Sequence, residues 1–193
     1  MPYFIKTNHY FIHIPKTGGS SLEKCMTDHG HKMLLFNDKD QVRVNGHSPQ
    51  HMTYREIRNA GFGTDVQYFT ILRNPVDRVY SEFHYLKKYK QEEFKFRGFD
   101  DFLDLFLDET NEDLFDNHNV SSYKFLVDGN KRIPDEIKIF DFFDAAAMEK
   151  SLSITGLSNY RVFQTAKPKL DLNQQQLSRI REYFADDFNN FRF

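Results

Sequence analysis

A short apolar run that leads into a glycine-rich turn is the first segment whose residue types could do chemistry. Residues 10–14 have β-type character, and a predicted helix over residues 20–26 follows the turn. The turn and helix start comprise Pro15, Lys16, Thr17, Gly18, Gly19, Ser20 and Ser21. Backbone N–H groups that converge there, at the positive end of a helix, favour an anion. The lysine charge and the hydroxyl donors add to that preference, so the turn predicts a phosphate cradle. On the glycines alone, an ordinary strand–helix turn is an equal alternative.

The turn differs from the Walker A loop of phosphate-transferring enzymes. Walker A requires G-x-x-x-x-G-K-[ST], with the lysine after the last glycine. Here Lys16 precedes both glycines, and no clear acidic metal partner follows the apolar run at residues 67–72. The loop is therefore not a Walker A loop.

A second strand carries a basic residue at its carboxyl end. Residues 67–72 are nearly all apolar or β-favouring, which is typical of a buried parallel strand, and Arg73 follows directly. Asn74 is predicted to cap a helix over residues 75–90. Arginine offers a planar fork to phosphate, and Ser81, in the second turn of that helix, could bind the same anion. The alternative is that Arg73 pairs with a carboxylate and Ser81 is buried.

Together the two motifs resemble the sulfotransferases that use 3′-phosphoadenosine 5′-phosphosulfate (PAPS). The pattern is strand–PKTGGSS–helix followed by strand–RNPxxRxxS–helix. The sequence of residues 13–19, HIPKTGG, is similar to that of the carbohydrate branch, which comprises the heparan sulfate 2-O- and 6-O-sulfotransferase-like group and its bacterial relatives. The resemblance covers residues 9–23 and 68–85 well, and residues 162–168 and 186–188 more weakly.

The resemblance implies a role for each matching residue. Lys16 would contact the sulfate and its bridging oxygen, and would offset charge on the leaving phosphate. Arg73 and Ser81 would hold the 3′-phosphate, which distinguishes PAPS from ATP. The residues that would hold the 5′-phosphate are Thr17, Gly18, Gly19, Ser20 and Ser21. Those that would cover the nucleotide are Gln164, Thr165, Ala166 and Lys167. PAPS would be the co-substrate and adenosine 3′,5′-bisphosphate (PAP) the product, with no metal ion required.

An acceptor hydroxyl must lose a proton as the sulfuryl group moves, so a base of near-neutral pKa is expected. Related glycan sulfotransferases look similar at Gly46-His47, where a Gly-His pair supplies this base. We therefore expect His47 to be the base, with His51 as the near alternative. A structural His47, with the role passing to a carboxylate such as Glu56, is a third possibility.

Strands that alternate with helices predict an α/β fold. The resemblance implies a P-loop-type, three-layer fold with a central, mostly parallel sheet flanked by helices, in a single domain over residues 1–193. Further strands are expected at residues 33–36 and 137–140. Further helices are expected at residues 53–60, 100–116, 117–126, 145–152 and 172–188.

Charge and composition limit the partners. The 193 residues carry a net charge of −2, with a pI of about 6.4, which argues against nucleic-acid binding. Residues 1–97 carry a net +5 and residues 98–193 a net −7. The basic half would suit an anionic ligand, although chance clustering of surface charge explains the counts equally well. No apolar run approaches a membrane span and no signal-peptide pattern is present, so we expect a cytoplasmic location. The single cysteine, Cys25, permits no intrachain disulfide.

The sequence therefore predicts sulfuryl transfer from PAPS to a hydroxyl or amine of a small molecule or glycan, most simply a carbohydrate. A P-loop kinase for nucleotides or small metabolites is one alternative, and a PAPS-binding module without turnover is another. A basic run could line a groove for an anionic glycan, although a solvated helix face explains it as well. It comprises Lys87, Lys88, Lys90, Lys95 and Arg97.

Overall fold

A five-stranded mixed sheet organises the chain. The computed structural model describes residues 1–35, 45–62, 65–160, 162 and 171–193. The strands are β1 (Tyr3–Phe4), β2 (His9–Ile12), β3 (Met33–Leu34), β4 (Gln67–Leu72) and β5 (Ile137–Asp141). Their order in the sheet is β3-β1-β2-β4-β5. Strands β2, β4 and β5 are parallel, whereas β1 pairs antiparallel with both of its neighbours.

Eight α-helices surround this sheet in the described part of the chain. They are α1 (Gly19–Asp28), α2 (Tyr54–Asn59), α3 (Pro75–Tyr89), α4 (Phe99–Phe106), α5 (Ser122–Leu126), α6 (Ala145–Leu152), α7 (Gln174–Tyr183) and α8 (Ala185–Asn190). None of the helices described is long and apolar enough to cross a bilayer.

The two faces of the parallel strands have separate cores. Successive strand side chains point to opposite faces, so Tyr68 and Leu72 of β4 pack with α2 and α5, and Phe69 and Ile71 pack with α1 and α6. From its second residue onward, all of β4 is buried, as expected of a central parallel strand. The expected α/β fold is therefore confirmed.

A third apolar cluster lies outside the sheet. It joins α3, α4 and α7, and it is rich in phenylalanine: Phe83, Phe99, Phe102, Phe106, Phe115 and Phe184 are all buried in it. This cluster fixes α3, the helix that follows Arg73, against the second half of the chain.

Several element boundaries differ from the sequence-based expectations. The expected helix over residues 100–116 is wrong: α4 ends at Phe106, and the Asp108 side chain then accepts a hydrogen bond from the Thr110 N–H and starts a separate turn. The expected helix at residues 117–126 shortens to α5, and the one at residues 172–188 divides into α7 and α8. Strand β1 was not expected, because two residues carry no periodic signal.

Candidate functional site

The carboxyl ends of β2, β4 and β5 border a cavity of about 1110 Å³. The glycine-rich turn, Arg73, Ser81 and the segment 48–51 all contribute to its walls. Open α/β sheets bind ligands at this end of their parallel strands. The cavity therefore lies where both sequence motifs expected an anion.

The turn between β2 and α1 presents backbone N–H groups. Gly18 has φ +86° and precedes the first residue of α1, Gly19, with no side-chain cap on the helix. The N–H groups of Ser21 and Leu22 donate to the Gly18 carbonyl, which leaves those at the very start of α1 without helical partners. The expected serine start signal is therefore wrong, because α1 begins one residue before Ser20. An uncapped helix start beside a cavity is suited to an anion.

Thr17 has a different place from its neighbours. Its side chain is fully buried, and its hydroxyl donates to the Ile14 carbonyl at 2.8 Å. That hydroxyl proton stabilises the turn itself. A contribution from Thr17 to a bound anion would come from its backbone N–H rather than from its hydroxyl proton.

Gly19 is required because the side chain of His13, the residue after β2, approaches it closely. A Cβ on Gly19 would lie 2.7 Å from Cε1 of His13, and closer still to two other atoms of that ring. His13 is itself held: its Nδ1 lies 2.7 Å from Oε1 of Glu23, and Gln50 contacts both side chains. The buried imidazole therefore forms the floor under the start of α1.

Arg73 reaches the same turn from β4. Its guanidinium donates to the Lys16 carbonyl at 3.0 Å and lies 4.6 Å from the centre of the Phe142 ring. The residue is only 6% exposed, and its Nε has no hydrogen-bond partner among the described residues. Burial lowers the pKa of this guanidinium from its usual value. A buried cation with an unused donor beside a cavity is suited to an anionic ligand.

Ser81 and the helix start around it agree with the sequence. Asn74 caps α3 by accepting a hydrogen bond from the Val76 N–H at 2.9 Å, and Pro75 is the first helical residue. One and a half turns later, the half-buried Ser81 lines the cavity together with Arg73. The structure thus brings together the residues expected to bind a second phosphate.

Arg78 is a site-supporting residue that sequence reasoning did not single out, although it lies within the RNPxxRxxS motif. It is buried and donates to the Pro15 carbonyl at 3.2 Å and to Ser122 Oγ at 2.9 Å. Its guanidinium also lies 3.6 Å from Asp187, and burial lowers its pKa to about 10. It therefore joins the glycine-rich turn to α5 and α8 rather than entering the cavity.

Lys16 occupies the bend of the turn, with φ +64°. Its Nζ lies 3.8 Å from Oε2 of Glu82 and 3.8 Å from the centre of the Tyr85 ring. Glu82 is buried, and the same carboxylate oxygen accepts from Nδ1 of His118 at 2.8 Å. Burial alone would raise the pKa of Glu82, but His118 and Lys16 hold it below the usual value. Glu82 is therefore a buried anion that holds Lys16 at the cavity wall.

His47 does not line the cavity, and both of its ring nitrogens face acceptors. Nε2 lies 2.9 Å from Oε1 of Glu56, and Nδ1 lies 3.1 Å from the carbonyl oxygen of Ser48. Burial would lower the pKa of His47, but these hydrogen bonds raise it above the usual value. An imidazole that donates from both nitrogens is a cation, which cannot accept a proton.

His51 does line the cavity. Its Nδ1 lies 3.0 Å from both the carbonyl oxygen and Oδ2 of Asp116, so that nitrogen carries the proton. Nε2 has no hydrogen-bond partner among the described residues, which leaves it able to accept a proton. Burial lowers the pKa of His51 to about 4, so the ring is neutral at neutral pH. The geometry therefore favours His51 over His47 as a base.

Two expectations remain, the segment that would cover the nucleotide and the basic run after the second motif. Gln164, Thr165, Ala166 and Lys167 lie outside the described residues. Val162, which is described, donates its N–H to the Ser21 hydroxyl at 3.1 Å and lines the cavity. Of the basic run after the second motif, Lys90 lines the cavity, but its Nζ pairs with Glu93 at 2.7 Å.

An α/β sheet whose parallel strands end at a cavity lined by Lys16, Arg73 and an uncapped helix start defines the general class of this protein. Comparison with known families makes the class specific. A model described as "Sulfotransferase family" matches residues 3–193, so the chain belongs to the sulfotransferase family. Membership supports sulfuryl transfer in general. No curated protein and no solved structure matches the chain significantly.

Proposed function

We propose that this protein transfers a sulfuryl group from PAPS to a hydroxyl of an acceptor, most simply a carbohydrate. The observation that carries the proposal is the convergence of the uncapped α1 start, Lys16, Arg73 and Ser81 on one cavity. One group of donors lies on the β2–α1 turn and the other follows β4, which fits a ligand with two phosphate positions. PAPS, the usual donor of the family, supplies the activated sulfate.

The β2–α1 turn would act as a P-loop-type cradle for the 5′-phosphosulfate. Gly18, Gly19, Ser20 and Ser21 would donate backbone N–H and hydroxyl groups to it. Arg73 and Ser81 would bind the 3′-phosphate. The unpartnered Nε of Arg73 supports this assignment, because a buried donor without an acceptor is costly until a ligand provides one. Residues 164–167 would cover the nucleotide, as the family resemblance implies.

Lys16 would stabilise the bridging oxygen as the S–O bond to the phosphate breaks. Its charge is worth most in the transition state, where negative charge builds on the leaving group. Glu82 keeps the ammonium group at the cavity wall before the donor arrives. Binding of the donor would draw the ammonium group away from this 3.8 Å contact.

His51 would take the proton of the acceptor hydroxyl as the new O–S bond forms. Asp116 fixes the tautomer by accepting from Nδ1, which aims the lone pair of Nε2 away from the carboxylate. His47, held by Glu56 and the Ser48 carbonyl, would then position the segment that carries His51. His47 remains the alternative base that the Gly-His resemblance implies.

Thermal shift with PAP, AMP and ATP tests donor recognition. PAP should raise the melting temperature more than AMP, because only PAP carries the 3′-phosphate. Arg73→Gln should remove most of that difference, which corresponds to roughly 1.5–3 kcal/mol for a charge-assisted hydrogen bond. Arg97→Gln is the matched control, since the Arg97 side chain is 91% exposed and pairs only with Asp101. Equal stabilisation by PAP and AMP would refute PAPS as the donor.

Product analysis separates the enzyme from its alternatives. Incubation with PAPS and a panel of mono- and oligosaccharides should give sulfated product, detected by mass spectrometry. Binding of PAP without product from any acceptor would instead favour a module that binds PAPS without turnover. Stabilisation by ATP with Mg²⁺, but not by PAP, would favour a kinase.

A further inference from the structure

Three side chains that line the cavity at and beside the proposed base have the composition of a transition-metal site. His51, Asp116 and His118 each offer one ligand atom, and these atoms all lie within 4.8 Å of one another. Two imidazoles and one carboxylate are ligands that Zn²⁺ commonly takes. All three residues line the cavity, so water or a substrate oxygen could fill a fourth position.

The second layer of contacts also fits a metal. His118 is bonded through Nδ1 to the buried Glu82, which leaves Nε2 for a ligand role. This matches the usual pattern, in which a histidine that binds a metal donates its other ring N–H to a carboxylate or a carbonyl. Nδ1 of His51 lies 3.0 Å from Oδ2 of Asp116, so these two ligand atoms already lie near the separation that one ion requires. Asp116 in turn accepts from the N–H and hydroxyl of Ser48, at 2.5 and 3.0 Å.

The size of the cluster requires only a small adjustment. Ligands at about 2.1 Å from a tetrahedral Zn²⁺ lie about 3.4 Å apart, so the most distant pair must close by at most about 1.4 Å. The side chains of Asp116 and His118 are 26% and 15% exposed, and both line the cavity. The carboxylates of Asp116 and Glu82 offset the two charges of the ion.

We propose that His51, Asp116 and His118 bind a divalent transition-metal ion, such as Zn²⁺, at the wall of the cavity. A bound ion would take Nδ1 of His51, the nitrogen that faces Asp116, in place of its proton. The proton of the neutral ring would then lie on Nε2, which would have no lone pair for the acceptor proton. Zn²⁺ would therefore inhibit sulfuryl transfer reversibly. The inhibition rests on the proposed function, whereas binding of the metal does not.

Cobalt provides a readout that is independent of activity. The full chain, stripped with a chelator, is titrated with Co²⁺ while its visible absorption is recorded, and then with Zn²⁺ to displace the cobalt. We expect one equivalent of Co²⁺ to give d–d bands typical of a site with nitrogen and oxygen ligands, and Zn²⁺ to abolish them. His118→Ala and Asp116→Asn should each remove the bands. Circular dichroism establishes whether each variant is folded. If His118→Ala is not folded, Asp116→Asn provides the test.

His29→Ala is the matched control, because His29 lies beside Cys25 in a different part of the fold, 3.7 Å from its sulfur. The Co²⁺ absorption bands of the His29→Ala variant should equal those of the unmodified protein. Absence of Co²⁺ binding, or bands that depend on His29 and not on His118, would overturn the proposal. Sulfation assays on the same samples should show inhibition by Zn²⁺ that EDTA relieves. Metal binding without any PAP binding or sulfated product would refute the proposed function and leave the metal site standing.

Discussion

Replacing Gly19 with alanine tests how the anion cradle is built. The new Cβ would lie 2.7 Å from Cε1 of His13, well inside contact distance. The ring cannot simply move away, because Glu23 holds its Nδ1 at 2.7 Å and the ring stacks on Phe11 with centroids 5.1 Å apart. The start of α1 must therefore shift into the cavity, where the donor phosphate is proposed to bind.

The size of the effect follows from two opposing contributions. Overpacking of a buried site costs about 1–3 kcal/mol. Alanine in place of glycine returns up to about 1 kcal/mol of helix propensity, and less at the first helical residue. The net loss of about 1–2 kcal/mol corresponds to a fall in melting temperature of about 2–8 °C for a chain of this size.

The assay is thermal unfolding of Gly19→Ala with and without PAP. The melting temperature of the free protein should fall as above, and the stabilisation by PAP should fall as well. Gly98→Ala is the control, because a Cβ at Gly98 meets nothing within 4 Å. In the double variant with His13→Ala the clash is relieved, so its loss should be smaller than the sum of the two single losses. A Gly19→Ala protein with unchanged stability and PAP binding would refute this account of the turn.

Three further predictions address the base, the lysine and the buried arginine. With His51 as base, whose pKa is lowered to about 4, kcat/KM should hold at its plateau down to about pH 5, since the ring stays deprotonated. A fall that begins above the ordinary pKa of an imidazole would assign the base to His47, whose pKa is raised. Lys16→Ala should lower kcat by a larger factor than it raises the Kd of PAP, and equal factors would argue against a role in the transition state. Arg78→Met should cost about 3–5 kcal/mol in urea unfolding, because it removes the positive charge that pairs with the buried Asp187 carboxylate, while Arg97→Met should have little effect.

The local part of the site could be predicted from the sequence. Strand β4 is a continuous apolar run, and Asn74 with Pro75 is a capping pair that acts within three residues. The glycine-rich turn is likewise contained in a few consecutive residues. Signals of this kind depend on neighbours in the chain, so one sequence was sufficient to place Arg73 and Lys16 at strand ends.

Long-range partners could not be predicted in the same way. His51 meets Asp116 across 65 residues, and His118 meets Glu82 across 36. Neither pair has a spacing that a helix or strand pattern would reveal. The choice between His47 and His51 depended on these partners, because the acceptors around each ring decide which nitrogen is protonated. The Gly-His resemblance alone therefore favoured His47.

The carboxylates beside the cavity raise a question of charge, since the proposed donor is an anion. Each of the three cavity histidines has a carboxylate behind it: Glu23 behind His13, Asp116 behind His51 and Glu82 behind His118. The first and third of these carboxylates are buried. A buried carboxylate is costly unless it is paired or hydrogen-bonded, so the imidazoles and Lys16 are held in place by the carboxylates that they contact. The cavity wall carries charges of both signs, because Glu82 and Asp116 line it together with Lys16 and Arg73, whereas Glu23 lies one layer deeper. Glu82 contacts both Lys16 and His118, so the group proposed to act on the leaving phosphate and the histidine nearest the proposed base share one buried anion. A change in charge at Lys16 must therefore alter the electrostatic environment of His118, and a change at His118 that of Lys16.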